Sequence, residues 1–230
     1  MTNVTKRKIV IESIQGDTLT PISIYQRLKG KKKFLLESSL KHEDTGRYSF
    51  IGANPAFEIK GSENETIITC EGEEEIVTEK PLEVLKKLMP KLEEEVPSFI
   101  PLIGGAIGFV GYDVIRHYEN IGDTPEDEFH IPDVHFMMFE ELVVFDHLEQ
   151  KVFLVGIPLL EKTTDVDLKN KIEKRKNEIL QGKDEELLPV KLSSFRASIS
   201  KEQFIEKVKK AKEYIVEGDI FQVVLSHRLK

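Results

Sequence analysis

The chain has 230 residues and a net charge of −8, from 33 Lys and Arg against 41 Asp and Glu. With 40% hydrophobic and 32% charged residues it has material for one large domain or two small ones. The interspersed, mildly acidic charge excludes a general nucleic-acid surface, the single cysteine Cys70 excludes an internal disulfide, and no run approaches the roughly 20 apolar residues of a membrane-spanning helix. The expectation is a soluble, cytoplasmic protein with no nucleic-acid or membrane partner.

The elements are predicted in chain order as follows. A short strand over Ile9–Ile14 is followed by Thr20-Pro21, a hydroxyl cap and a proline suited to the first helical turn. That helix runs to about Leu28, and Gly30 stops it. Phe34–Ser38 and Arg47–Ala53 read as two strands joined by a charged, turn-rich link. Strands at Phe57–Lys60, Thr66–Glu71 and Glu75–Thr78 follow, and Pro81 opens a second helix with Leu82, Leu85, Leu88 and Met89 at helical spacing. The segment 97–119 reads as a glycine-spaced strand and a helical turn. Val134–Phe145 and Lys151–Ile157 look like a strand pair, linked by a turn at Asp146–Gln150.

Thr163–Leu180 is predicted as a charged helix, and Gly182–Ser194 as a polar connector. A domain boundary is placed there, giving an N-terminal domain over 1–190 and a second domain over 195–230. Ser200 with Gln203 forms a capping-box pattern, and Ile199 with Phe204 stands at hydrophobic-staple spacing. Phe204, Val208, Ala211 and Ile215 then make one apolar helical stripe, and Gly218 is the natural stop. Ile220–Leu229 is predicted as a strand.

Several motifs invite chemistry that their spacing does not support. Gly104, Gly105, Gly108 and Gly111 are not spaced as a nucleotide loop and fall inside an apolar strand, which fits close backbone packing better. His130 and His135, with Asp133 between them, lack metal-ligand spacing, so no metal site is expected. Cys70 ends an apolar run and reads as a small core side chain. The acidic runs Glu73–Glu75 and Glu93–Glu95 read as solvated faces.

The stretch FLLESSLKHEDTGRYSFIGANP (34–55) is different in kind. In a regular strand Leu36 and Ser38 share one face, Leu35 and Glu37 the other. Arg47 and Ser49 likewise share a face, opposite Tyr48 and Phe50. A guanidinium and a hydroxyl beside apolar groups suit a ligand with a carboxylate and a hydrophobic body. From the residues alone an ordinary hairpin with a surface Arg–Glu pair is the simpler account.

The sequence GDTLTPISIYQRL…FLLESS…GRYSFIGANP resembles the N-terminal part of the anthranilate synthase component I family, within the chorismate-utilising enzymes. GGAIGFVGYDVIR resembles the family's central motif, and SKEQFIEKVKKAKEYIVEGDIFQVVLSHRLK the start of its chorismate-binding domain. The resemblance runs through essentially the whole chain in order. It implies an α+β fold of largely antiparallel sheets packed with helices, a two-lobed sandwich whose second lobe is truncated here. It also implies a lyase of tryptophan biosynthesis that converts chorismate and ammonia to anthranilate and pyruvate with Mg²⁺. The ammonia would come from a glutamine amidotransferase partner, and tryptophan would inhibit by feedback.

Carried over by resemblance, the LLES segment places Leu36, Glu37 and Ser38 at the tryptophan pocket, with Arg47 a further contact. Ser38, with Leu36 as apolar floor, is the expected centre of that wall. Gln222, in GDIFQVV, matches a position near the active site, where a neutral side chain would not activate water. The Mg²⁺ carboxylates belong to a part of the family absent from this chain, which is therefore expected to be inactive alone. Aminodeoxychorismate synthase component I, of folate biosynthesis, and a non-catalytic tryptophan- or subunit-binding module stand as alternatives.

Overall fold

The computed structural model describes residues 8–37, 46–89, 97–123, 127–183 and 194–229. The chain divides into two units, Met1–Glu185 and Glu186–Lys230. Among the described residues ten strands fall in the first: β1 (Val10–Gln15), β2 (Phe34–Leu36), β3 (Tyr48–Gly52), β4 (Phe57–Ser62), β5 (Glu65–Cys70), β6 (Glu73–Val77), β7 (Gly105–Val110), β8 (Val134–Phe139), β9 (Glu141–Asp146) and β10 (Lys151–Gly156). They form two five-stranded sheets of order β1-β10-β9-β3-β2 and β6-β5-β4-β8-β7, and every pairing is antiparallel.

Helices α1 (Pro21–Arg27), α2 (Pro81–Leu88) and α3 (Asp165–Gln181) complete this unit. The α1 start is as the sequence predicts: the Thr20 hydroxyl accepts from Ser23 N–H, with Pro21 in the first turn. Thr164 caps α3 through a reciprocal bond with Asp167.

Two apolar layers hold the unit together. One lies between the sheets and joins Phe57, Ile59 and Met138 of one sheet to Leu142, Val144 and Val155 of the other. The second covers the opposite face of the first sheet, where Ile51, Val143, Phe145 and Leu154 meet Ile24 and Leu28 of the α1 region and Ile172 and Ile179 of α3. The central strand β9 is buried on both faces. That explains its continuous apolar run LVVF, where a half-exposed strand would alternate.

The expected single strand Val134–Phe145 is a correction. It breaks at Glu140 into β8 and β9, which belong to different sheets. Only β9 pairs with β10, about the predicted turn. The break is stabilised by the Glu140 carboxylate, which is buried yet fully engaged. It accepts from the backbone N–H of Leu159 and Leu160 at 3.0 and 2.9 Å and from Lys171 Nζ at 2.6 Å. Burial works to raise its pKa, but the Leu160 N–H and Lys171 outweigh this and hold it below the usual carboxylate range.

Gly108 accounts for the glycine-spaced strand. A Cβ there would lie 1.9 Å from the carbonyl oxygen of His135 on β8, so only glycine lets the two backbones approach. After Gly111 a short 3₁₀ helix, Tyr112–His117, takes the place of the expected helical turn.

In the second unit the capping box on α4 (Lys201–Glu217) forms as predicted, and Gly218 ends it in the left-handed conformation with φ 86°. The strand expected over Ile220–Leu229 does not form. Among the described residues of this unit only an isolated bridge, Ala197 with Leu229, pairs two extended segments. Apolar composition alone cannot make a strand, which exists only as part of a hydrogen-bonded ladder.

Candidate functional site

The β2–β3 hairpin is built as the sequence implies, with Leu36 opposite Phe50 and Phe34 opposite Gly52. Leu36, Tyr48 and Phe50 line one groove of about 460 Å³ together with Glu37, Arg47, Pro101 and Leu102. The segment carrying Pro101 is held over the hairpin by the Tyr48 hydroxyl, which donates to the Phe99 carbonyl at 2.9 Å. Leu36 is 44% exposed although apolar, an arrangement that leaves a hydrophobic floor open to a ligand.

The polar side of the groove is organised from β9. Arg47 grips the Asp146 carboxylate two-pronged, Nε to Oδ1 at 3.0 Å and Nη2 to Oδ2 at 2.6 Å, and its guanidinium lies 5.0 Å from the Tyr48 ring centre. Asp146 Oδ1 also accepts from the N–H groups of Leu148 and Glu149 at 2.9 and 3.1 Å, which fixes the following turn. Burial works to raise the Asp146 pKa, but Arg47 and these N–H groups outweigh it and hold the carboxyl below the usual range. The expected Arg–Glu surface pair is therefore replaced by Arg47 with Asp146, because the β3–β9 register sets Tyr48 opposite Asp146. Glu37 is engaged elsewhere: its Oε1 lies 3.3 Å from the hydroxyl of buried Ser49, which also meets His147 Nε2 at 2.7 Å.

Of the residues singled out in sequence, Leu36, Glu37 and Arg47 thus come together at the groove. Ser38 lies outside the described residues. Gln222 is exposed in the second unit, outside any helix or strand. His135 bonds Glu58 at 3.0 Å, whereas Asp133 bonds His117 at 2.9 Å, so Asp133 and His135 serve different partners. Glu58 further pairs with Lys32, and its carboxyl is held low: burial opposes ionisation, but Lys32 and His135 outweigh it. Cys70 is half-buried, with its Sγ 3.7 Å from the Ala56 carbonyl.

A second cleft of about 360 Å³ is lined by Glu63, Lys80, Arg116 and Asp133 among others. Its charges are largely satisfied within the fold: Arg116 bonds Asp113 at 2.6 Å, and Lys80 bonds the His117 carbonyl. Among the described residues no group of three or more His, Cys, Asp or Glu side chains is arranged to hold a metal ion. No described helix is long and apolar enough to cross a membrane.

Asp146 and His147 are the residues that sequence reasoning left out of the site, and Ser49, named there only beside Arg47, proves to be the partner of Glu37 and His147. Two signals point to them: a serine inside an otherwise apolar strand, and an aspartate at the start of a turn, where its side chain caps backbone N–H groups.

Residues 31–230 match the family model described as chorismate binding enzyme. The chain is 37% identical over 234 residues to anthranilate synthase component 1 of Acetivibrio thermocellus, covering 96% of this chain and 47% of that protein. It is 34% identical over 204 residues to aminodeoxychorismate synthase component 1 of Bacillus subtilis (strain 168), covering 86% and 42% respectively. The crystal structure of anthranilate synthase component I from Streptococcus pneumoniae TIGR4 superposes with a TM-score of 0.64 at 34% identity, covering 94% of this chain and 48% of that one. The chain therefore spans about half the length of the relatives it matches. With the family match running through the groove, both sheets and the C-terminal helix, the chain belongs to the chorismate binding enzyme family.

Proposed function

We propose that this chain is the N-terminal portion of an anthranilate synthase component I, a cytoplasmic lyase of tryptophan biosynthesis. The complete enzyme would convert chorismate and ammonia to anthranilate and pyruvate, with a glutamine amidotransferase subunit supplying the ammonia. In this reading the 1–190 domain is regulatory and the 195–230 segment begins the catalytic domain. The groove at Leu36, Glu37, Tyr48 and Phe50 is one wall of a site for the inhibitor tryptophan. The observation that carries the reading is the groove itself, an open apolar floor of Leu36, Tyr48 and Phe50 with Glu37 and Arg47 at its rim. An indole fits the floor, and a carboxylate recognises an ammonium group.

Mg²⁺ belongs to the whole enzyme's chemistry, where it would assist departure of the chorismate hydroxyl. Among the described residues no group of three or more His, Cys, Asp or Glu side chains offers it ligands. Arg47, held by Asp146, supports the wall more than it contacts the ligand. In this reading Gln222 would lie near the chorismate site of the complete enzyme, where an amide would leave water unactivated and reserve the reaction for ammonia.

Because the chain spans about half of its relatives, it is expected to show no turnover of chorismate with ammonia and Mg²⁺. Anthranilate fluorescence above background from the purified chain would refute that. Calorimetric titration with tryptophan tests the groove, with weak saturable binding that Glu37→Gln diminishes as the expected result. Heat that is unchanged by Glu37→Gln would remove the site from this wall. The second reading, aminodeoxychorismate synthase component I, is favoured by the Bacillus subtilis relative. The product of a full-length version separates the two: anthranilate, or an aminodeoxychorismate that keeps its pyruvyl group.

A further inference from the structure

The pairing registers set Leu36, Phe50, Val144 and Phe153 in one row across β2, β3, β9 and β10. On the same face of the sheet, residues 97–103 run over this row as a strap that joins neither sheet. The Phe99 ring packs against Phe153, with centroids 5.4 Å apart. Ile100 is 1% exposed and sinks into the core that holds Val144. Pro101 and Leu102 then face Phe50 and Leu36 across the groove. The strap thus covers the row from β10 towards β2 and stops short of its last member, Leu36, which stays open.

Tyr48 ties this strap to the hairpin. It lies two residues before Phe50, so its ring shares the groove face, packed under the Arg47 guanidinium. Its hydroxyl spans the gap and donates to the Phe99 carbonyl at 2.9 Å. Burial first, and then the nearby Asp146 carboxylate, raise the Tyr48 pKa above its ordinary value, so the hydroxyl stays a donor throughout the neutral range. Ring and hydroxyl therefore have separable roles: the ring is part of one wall, and the hydroxyl fixes how far away the other wall stands. The groove is a slot, and its width is the distance from hairpin to strap.

We propose that Tyr48 is a positioning residue that sets the selectivity of the groove. Its hydroxyl latches Pro101 and Leu102 at a spacing that admits a flat, unsubstituted aromatic side chain over Leu36 and shuts out a larger one. The ligand class is an aromatic amino acid, and for that identity the inference rests on the reading of the groove given above.

The test is Tyr48→Phe in the full chain, which keeps the ring and removes only the hydroxyl. Hydrogen exchange reads the strap with no ligand present. The Ile100 amide, bonded to the Pro97 carbonyl at 3.1 Å, is expected to exchange about threefold to tenfold faster in the variant, the worth of one hydrogen bond. The Val144 amide in the middle of β9 should keep its rate. Calorimetry reads the slot, with tryptophan and the enlarged 5-benzyloxytryptophan as probes. The chain is expected to prefer tryptophan, and Tyr48→Phe to cut that preference about threefold to tenfold by weakening tryptophan while sparing the larger ligand. General destabilisation would weaken both ligands alike and leave their ratio where it was. An unchanged ratio, or Ile100 exchange at the wild-type rate, overturns the proposal. Faster Ile100 exchange with no tryptophan binding by either protein leaves the latch standing and overturns the amino-acid reading on which its selectivity rests.

Discussion

Arg47 and Arg175 grip the same strand at opposite ends, and the contrast between them shows what a guanidinium does inside a fold. Arg175, on α3, is 5% exposed and holds Glu141, the first residue of β9, through Nε at 2.7 Å. It also reaches Glu178 and the carbonyls of Lys29 and Ala53 at 2.8, 2.8 and 3.1 Å. One side chain thereby ties α3, the end of α1 and the turn after β3 to the sheet. Arg47 holds Asp146, the last residue of β9, from a side chain still 31% exposed. The buried arginine is a clamp whose loss strands two carboxylates in the core. The half-exposed one is a support that water can partly replace.

The sharpest way to break this contrast is Arg175→Ala. It leaves Glu141 and Glu178 without their buried cation, so a loss of about 3–5 kcal/mol is expected from urea unfolding. A loss below about 1 kcal/mol would mean that the clamp is redundant.

Asp146→Asn comes next. The amide oxygen can still accept from Leu148 and Glu149, but the charge-assisted pair with Arg47 is lost, for about 1–3 kcal/mol at neutral pH. The pH dependence gives the sign. The Asp146 pKa is lowered in the folded state, so its contribution is complete above the unfolded value of about 3.9 and vanishes as pH falls through the lower folded value. The gap between wild type and Asp146→Asn should therefore narrow as pH falls below about 3.9, and a gap that stays constant through that acid range would assign the effect to packing.

The smallest effect is salt. Raising NaCl from about 0.05 M to about 1 M should shrink the difference between wild type and Arg47→Gln, because an exposed pair is screened. The difference between wild type and Arg175→Ala should hardly move. Equal sensitivity at both sites would erase the distinction drawn here.

These two arginines also measure what the sequence reveals. Arg175 stands on the stripe Leu168, Ile172, Ile179 at helical spacing, a signal of burial that the reading of 163–180 as simply a charged helix passed over. Its partners carried no such signal, because Glu141 and Ala53 reach it only through sheet order. Arg47 was legible as a polar residue in the right hairpin, yet its partner came from β9, about a hundred residues later in sequence. Capping boxes, the α1 start and the hairpin of β2 and β3 rest on local rules and form where the sequence places them. The break at Glu140 and the unformed strand over 220–229 depend on which ladder a segment can join, and periodicity carries no such information. The groove lies between these cases: Leu36, Glu37 and Ser49 were visible, but the His147 imidazole that meets Ser49 was not.

The pairing of β1 with β10 has a further meaning for how the protein comes into being. Val10 meets Gly156, so the first strand of this sheet to be synthesised waits for the last one. By contrast β4, β5 and β6 follow one another in sequence and close as a local meander. On a ribosome adding roughly 5–20 residues each second, β1 would spend several seconds or more as an unpaired apolar strand. Such non-local pairing slows folding and leaves an edge exposed to other nascent chains. The first sheet is thus the part of this unit most dependent on protection during synthesis, and the second is the natural place for folding to begin.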